Sequence, residues 1–148
     1  MIRFYRDEEK LYMVPDLFDA EARRMAEKIK NVTSSQFRNY FQELRALEAR
    51  YRADLRQDPV SAWLRLEPQL RLFKAKLSYG ARGDGPLAKA QEFRSFLEDV
   101  IDSISDGKDF EAALLYVEAV LAYYYAEEEK RKEERRRQSR AAHRRDRR

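Results

Sequence analysis

Thr33-Ser34-Ser35-Gln36-Phe37-Arg38-Asn39-Tyr40-Phe41-Gln42-Glu43-Leu44-Arg45-Ala46-Leu47-Glu48-Ala49-Arg50-Tyr51-Arg52-Ala53-Asp54-Leu55 decides the fold. Thr33 to Gln36 has the form of a capping box. The Thr33 hydroxyl accepts a backbone N–H three residues on, and the Gln36 side chain reaches back. Behind it, Phe37, Tyr40, Phe41, Leu44, Leu47, Tyr51 and Leu55 recur at helical spacing on one face. Asp58-Pro59 should end this helix and open the next, with Asp58 as cap and Pro59 in the first turn.

The same period continues outward. Trp63, Leu66, Leu70, Phe73 and Leu77 mark a third helix ending near Tyr79-Gly80. Ala81 to Pro86 adds two more glycines and a proline and reads as a loop. Pro86 is expected to open a fourth helix carrying Leu87, Ala90, Phe93, Leu97, Val100, Ile101 and Ile104. Asp106-Gly107 breaks it, and Phe110, Ala113, Leu114, Val117, Leu121 and Tyr124 mark the last helix. That pattern runs into Glu127-Glu128-Glu129-Lys130-Arg131-Lys132, where pairs such as Glu128–Lys132 let the helix protrude. Upstream, Asp16 can cap a first helix reaching about Lys30. The expected organisation is therefore all-α. Residues 1–15 are a loosely ordered start, 16–126 a single compact bundle of about five helices, and 127–148 a protruding basic extension that becomes disordered beyond Gln138 for want of an apolar face.

Bulk properties agree with that reading and exclude several function classes. The chain has 148 residues, 39% charged and 43% hydrophobic, with only four glycines and four prolines. There is no cysteine, so disulfides and thiolate metal sites are out. No secretory leader and no membrane-spanning run is visible, so a cytoplasmic location is expected. The formal net charge of +4 conceals segregation. Residues 36–82 carry ten basic and five acidic groups, residues 83–127 three and ten, and residues 128–148 eleven and five. A polyanion would be drawn to residues 36–82 or 128–148 and repelled by residues 83–127.

Catalytic chemistry finds little footing. The one histidine, His143, lies in the Arg-rich end. Acids cluster at Glu98-Asp99-Asp102 and Asp106-Asp109-Glu111, but they read as solvated helix-flanking groups, and EF-hand spacing is absent. Gly80-Ala81-Arg82-Gly83-Asp84-Gly85 follows no strand and matches no phosphate-loop pattern. No metal site and no cofactor is expected.

Basic stripes are the stronger signal. At 100° per residue, Arg38, Arg45, Arg52 and Arg56 fall within about 40° of one another, bordered by Asn39 and Gln42. Arginines at heptad intervals, ~10 Å apart, could follow a phosphodiester backbone. Arg65, Gln69 and Lys76 share a stripe with Leu72 on the next helix, with Lys74 and Arg82 nearby. Tyr79 lies off its helix's apolar stripe and is the aromatic expected at the surface. Tyr123, Tyr124 and Tyr125 cannot all face inward. Candidate RNA-binding residues are thus Arg38, Asn39, Arg45, Arg52, Arg65, Lys74, Lys76, Tyr79 and Arg82. Two other classes stay open: a helical protein–protein adaptor with basic surfaces, and a metal-dependent helical enzyme using Asp99 or Asp102.

Three segments carry a family resemblance. Thr33-Ser34-Ser35-Gln36-Phe37-Arg38 resembles the Thr-x-x-Gln-x-Arg signature of the small subunit of type III-A CRISPR–Cas effector (Csm) complexes. Lys74-Ala75-Lys76-Leu77-Ser78-Tyr79 is similar to that family's basic segment ending in Leu-Ala-Tyr, although Gly80-Ala81-Arg82 separates the Gly and Arg that the family keeps adjacent. Glu118-Ala119-Val120-Leu121-Ala122-Tyr123 is the third match, and the long Lys/Arg-rich end from Lys130 is a departure. The resemblance implies a non-catalytic subunit serving antiviral defence. It would contact the backbone of a guide RNA–target RNA duplex without reading sequence. It would also assemble with other Csm subunits and stack head-to-tail on copies of itself. The acidic 83–127 block, including Glu98 and Asp99, could then face a neighbouring basic surface.

Overall fold

The computed structural model describes residues 1–147. Among them run five α-helices: α1 (Ala20–Lys28), α2 (Ser34–Leu55), α3 (Pro59–Gly80), α4 (Gln91–Asp102) and α5 (Gly107–Asp146). They contain no strand, only a single bridge between Tyr5 and Met13. The all-α bundle expected from the period is the architecture found.

The helix starts follow the capping chemistry written in the sequence. Thr33 accepts from Gln36 N–H at 3.0 Å while Gln36 Oε1 accepts from Thr33 N–H at 3.0 Å, a complete capping box. Asp58 accepts from Val60 N–H at 3.2 Å and Pro59 occupies the first turn of α3. Asp106 accepts from Asp109 N–H at 2.9 Å and opens α5. Between α1 and α2, Asn31 adopts a positive φ of 62°, which a short polar side chain tolerates, and its amide donates to the Lys89 carbonyl at 3.0 Å.

α5 is the axis of the body. Its buried face, including Phe110, Ala113, Leu114, Val117, Val120 and Tyr124, packs against α1 and α2. α2 pairs with α3 as an antiparallel hairpin, and α4 lies on α3. Aromatic rings join the layers: Phe37 sits 4.8 Å from Phe93 and 5.7 Å from Tyr124, and Phe96 meets Tyr116 edge-on at 5.7 Å. Such pairs add to the area term that drives the packing. Gly107 is required where α5 crosses α2, because a Cβ there would lie 1.7 Å from the Tyr51 hydroxyl oxygen.

Four local expectations need correction. Residues 1–15 are not loosely ordered. Val14 N–H donates to the Phe4 carbonyl at 2.9 Å and Arg6 N–H to the Tyr12 carbonyl at 2.9 Å, closing a ribbon that buries Phe4 and Tyr5. The Tyr5 hydroxyl donates to the Lys108 carbonyl at 2.6 Å, tying the ribbon to the start of α5. The first helix does not begin at Asp16. Pro15–Phe18 is a 3-10 turn that buries Leu17, and Asp19, at φ −125° and ψ −96°, separates it from α1. Pro86 does not open α4, because Leu87 N–H turns back to the Gly80 carbonyl at 2.8 Å and closes the loop instead. Over the described residues the Arg-rich end is not disordered: α5 continues to Asp146, through arginines, glutamine and alanines that all favour helix, while Arg148 lies outside the described residues.

Candidate nucleic-acid interface

The α2–α3 hairpin creates the site. Because the two helices run antiparallel, the start of α2 lies beside the end of α3. On α2, Gln36, Asn39, Tyr40 and Glu43 share one face at i, i+3, i+4 and i+7. On α3, Lys76, Tyr79 and Gly80 share the facing one. Together with Arg82 and Pro86 of the following loop they line an open cleft of about 480 Å³. The seam continues as a smaller hollow of about 160 Å³, lined by residues that include Arg50, Gln69, Leu72 and again Glu43 and Lys76. From Gln36 to Arg50 it follows α2 for ~21 Å at 1.5 Å per residue.

Tyr79 and Arg82 form an exposed feature of it. Tyr79 is 65% exposed, a large apolar ring left in water. The Arg82 guanidinium lies over that ring, 3.4 Å from its centre, and donates to the Tyr79 carbonyl at 3.1 Å. The result is a flat cationic platform. Below it, Lys76 Nζ stands 3.7 Å from Glu43, with both side chains about half exposed. A screened contact of that kind is weak, so phosphate can displace it at small cost. Tyr40 forms the floor. Its hydroxyl pKa is raised by burial and secondarily by Glu43, so it stays a neutral phenol at physiological pH.

Of the nine residues nominated from sequence, Asn39, Lys76, Tyr79 and Arg82 come together in this cleft. The other five do not. Arg45 donates to Glu48 and to Glu118 of α5, each at 2.8 Å, and lies over the Phe41 ring at 4.9 Å. Arg52 approaches the same Glu48 at 3.5 Å. Arg38 lies 5.9 Å over Tyr125 of α5. Arg38 and Arg45 therefore reach α5, while Arg45 and Arg52 pair with a buried carboxylate, Glu48, on α2 itself. Lys74 is paired with Asp102 of α4 at 2.5 Å, and Arg65 with Asp54 at 3.5 Å. Gln36, Glu43 and Arg50 are seam residues that the basic-stripe reading misses, although their seven-residue spacing places them on one face.

The remaining sequence signals also resolve. Tyr124 is buried, with its hydroxyl donating to the Val32 carbonyl. Tyr123 is half-buried and donates to Asp19 at 3.2 Å, while Tyr125 stays exposed. Four of the six clustered acids are taken up by cations: Asp106 and Asp109 share Lys10, at 2.7 and 3.0 Å, Asp102 pairs with Lys74 at 2.5 Å and Glu98 with Arg94 at 3.5 Å. Among the described residues, no three His, Cys, Asp or Glu side chains converge as metal ligands would. None of their helices is long and apolar enough to cross a membrane.

A family model described as Csm2 Type III-A matches residues 13–130, which include α1 to α4, the whole seam and the part of α5 that packs on the body. Comparison with curated proteins and with solved structures gave no match.

Proposed function

From the premise that the chain belongs to the Csm2 Type III-A family, the small subunit of type III-A Csm complexes, we propose that it is a non-catalytic RNA-binding subunit. It grips the backbone of a guide RNA–target RNA duplex along the α2–α3 seam. The observation that carries this is the convergence of Lys76, Arg82, Asn39 and Tyr79 in one open cleft. Cations and amides there meet phosphate and sugar oxygens, and contacts of that kind position a duplex without reading its sequence. Specificity then belongs to base pairing within the guide–target duplex, as in other RNA-guided systems. The subunit works in the cytoplasm, in antiviral defence, with cleavage left to other subunits.

Contacts to protein complete the role. Val60 and Leu64 are exposed along α3, at 69% and 63%. Such apolar surface fits packing against another subunit of the complex. The acidic face of α4 fits the head-to-tail contact with a further copy of the chain.

The test is fluorescence anisotropy of the full chain on duplex RNA across a salt series. Lys76→Ala/Arg82→Ala should weaken binding about tenfold or more at low salt. It should also flatten the slope of log affinity against log salt by ~0.9 for each phosphate no longer neutralised. Unchanged affinity and slope would remove the seam as the RNA surface.

A further inference from the structure

α5 is one helix in two environments. Through Glu128 it belongs to the body: Tyr124 is buried, and Glu128 accepts the Ser34 N–H at 3.1 Å. From Glu129 to Arg147 every residue is exposed. The helix thus stands clear of the bundle for ~27 Å at 1.5 Å per residue. The family match stops at Lys130, so this arm lies almost wholly outside the segment shared with the family.

Its charges are arranged unevenly. Near the body, Glu127, Glu128 and Glu129 pair with Lys130 and Lys132 at 3.6–3.8 Å. Beyond Glu134 the described arm holds seven arginines and one acid, Asp146. None of the ion pairs among the described residues uses those arginines. At 100° per residue, Arg136, Arg140, Arg144 and Arg147 fall within about 80° of one another, with steps of ~4.5–6 Å along the axis. Like charges at i,i+4 repel, so this stripe destabilises its own helix until an anion lies along it. Only Ala141 and Ala142 interrupt the polar surface, so the arm offers nothing apolar to a membrane or a hydrophobic groove. Guanidinium forks, in contrast, match phosphate oxygens two at a time.

We propose that this arm is a second nucleic-acid site, binding the phosphodiester backbone of a strand through Arg136, Arg140, Arg144 and Arg147, separate from the α2–α3 seam. It extends the footprint of the subunit beyond its body and adds a strongly salt-dependent term to affinity.

The experiment compares three full-length chains on duplex RNA by anisotropy across a salt series: wild type, the seam variant Lys76→Ala/Arg82→Ala, and the arm variant Arg136→Gln/Arg140→Gln/Arg144→Gln/Arg147→Gln. Glutamine keeps helix propensity close to arginine, and none of the four sites touches the core, so thermal melting should be unchanged. The arm variant should lose at least tenfold in affinity at low salt and flatten the slope by about 3.6, the value for four phosphates at ~0.9 each. Weaker binding in the seam variant alone would overturn the arm site and leave the seam reading standing. Weaker binding in the arm variant alone would do the reverse. Polyglutamate of equal charge provides the competitor. If it displaced the RNA as well as an RNA competitor does, the arm would be a contact for acidic protein and the proposal would fall.

Discussion

Glu48 shows how a charge pattern misleads when read one residue at a time. It is 8% exposed and lies between Arg45 and Arg52. A buried carboxylate left without cations would cost several kcal/mol, so a structural need draws Arg45 towards Glu48, with the more exposed Arg52 as a second, longer contact. Arg45 reaches further, to Glu118, which lies 73 residues along the chain on α5. Arg45→Ala should therefore lower stability by about 1–2 kcal/mol, less than removal of both cations would, because Arg52 remains. It should leave the salt slope of RNA binding as in wild type. Urea denaturation beside the anisotropy series checks both, and a flattened slope at unchanged stability would return Arg45 to the RNA surface. Sequence alone points to Lys76, Tyr79 and Arg82, because Tyr79 falls off its apolar stripe and the others flank it. It does not show that Arg45 and Lys74 are claimed by Glu118 and Asp102, since those partners come from helices whose packing angle no local pattern encodes.

Elements with their own start and stop chemistry are legible: Thr33 with Gln36, Asp58 with Pro59, and Asp106 all cap the helices they were expected to cap or border. The N-terminal ribbon is not, because its order is tertiary. The ribbon's bend places Lys10, at φ 57°, against Asp106 and Asp109 at the start of α5. Burial opposes charge on both partners, yet the ion pair prevails. Asp106 is held below the usual carboxylate range by Lys10 and the Asp109 amide, and Lys10 is raised by the two acids. A depressed carboxyl stabilises the fold above its unfolded pKa, near 4, and that contribution is lost as pH falls through the folded value. A raised amine stabilises below its unfolded pKa, near 10.4, and its contribution is lost as pH climbs through the folded value. The clasp is thus fully engaged between about pH 4 and about pH 10.4. Lys10→Met should lower the melting temperature across that window and move acid unfolding to higher pH. Equal melting of the two chains at pH 7 would show that the ribbon is held by Phe4 and Tyr5 alone.

At the scale of the whole molecule, charge is segregated. The seam and the arm are basic, while the 83–127 block carries ten acids against three bases. Side chains at positions 92, 95 and 99 of α4 share one face. Glu92 and Asp99 are exposed there, around a hollow of about 420 Å³ that also takes in Lys28, Ser95 and Phe96. Glu98, the neighbouring acid, is half withdrawn and paired with Arg94, so the open acidic surface is Glu92 with Asp99. Nucleic acid is repelled from such a face, and a basic face of another copy is attracted to it. If copies join head-to-tail through this face, as proposed, they should load cooperatively on a long duplex, because each bound chain would present its acidic face to the next. Glu92→Lys/Asp99→Lys should abolish that cooperativity without changing the melting temperature. On a duplex long enough for only one chain it should bind at least as tightly as wild type, since two repulsive charges have become attractive. Sedimentation on short and long RNA duplexes measures both effects at once. If loading stays as steep as in wild type, the contact between copies lies away from α4, and the exposed apolar ridge of α3 takes its place.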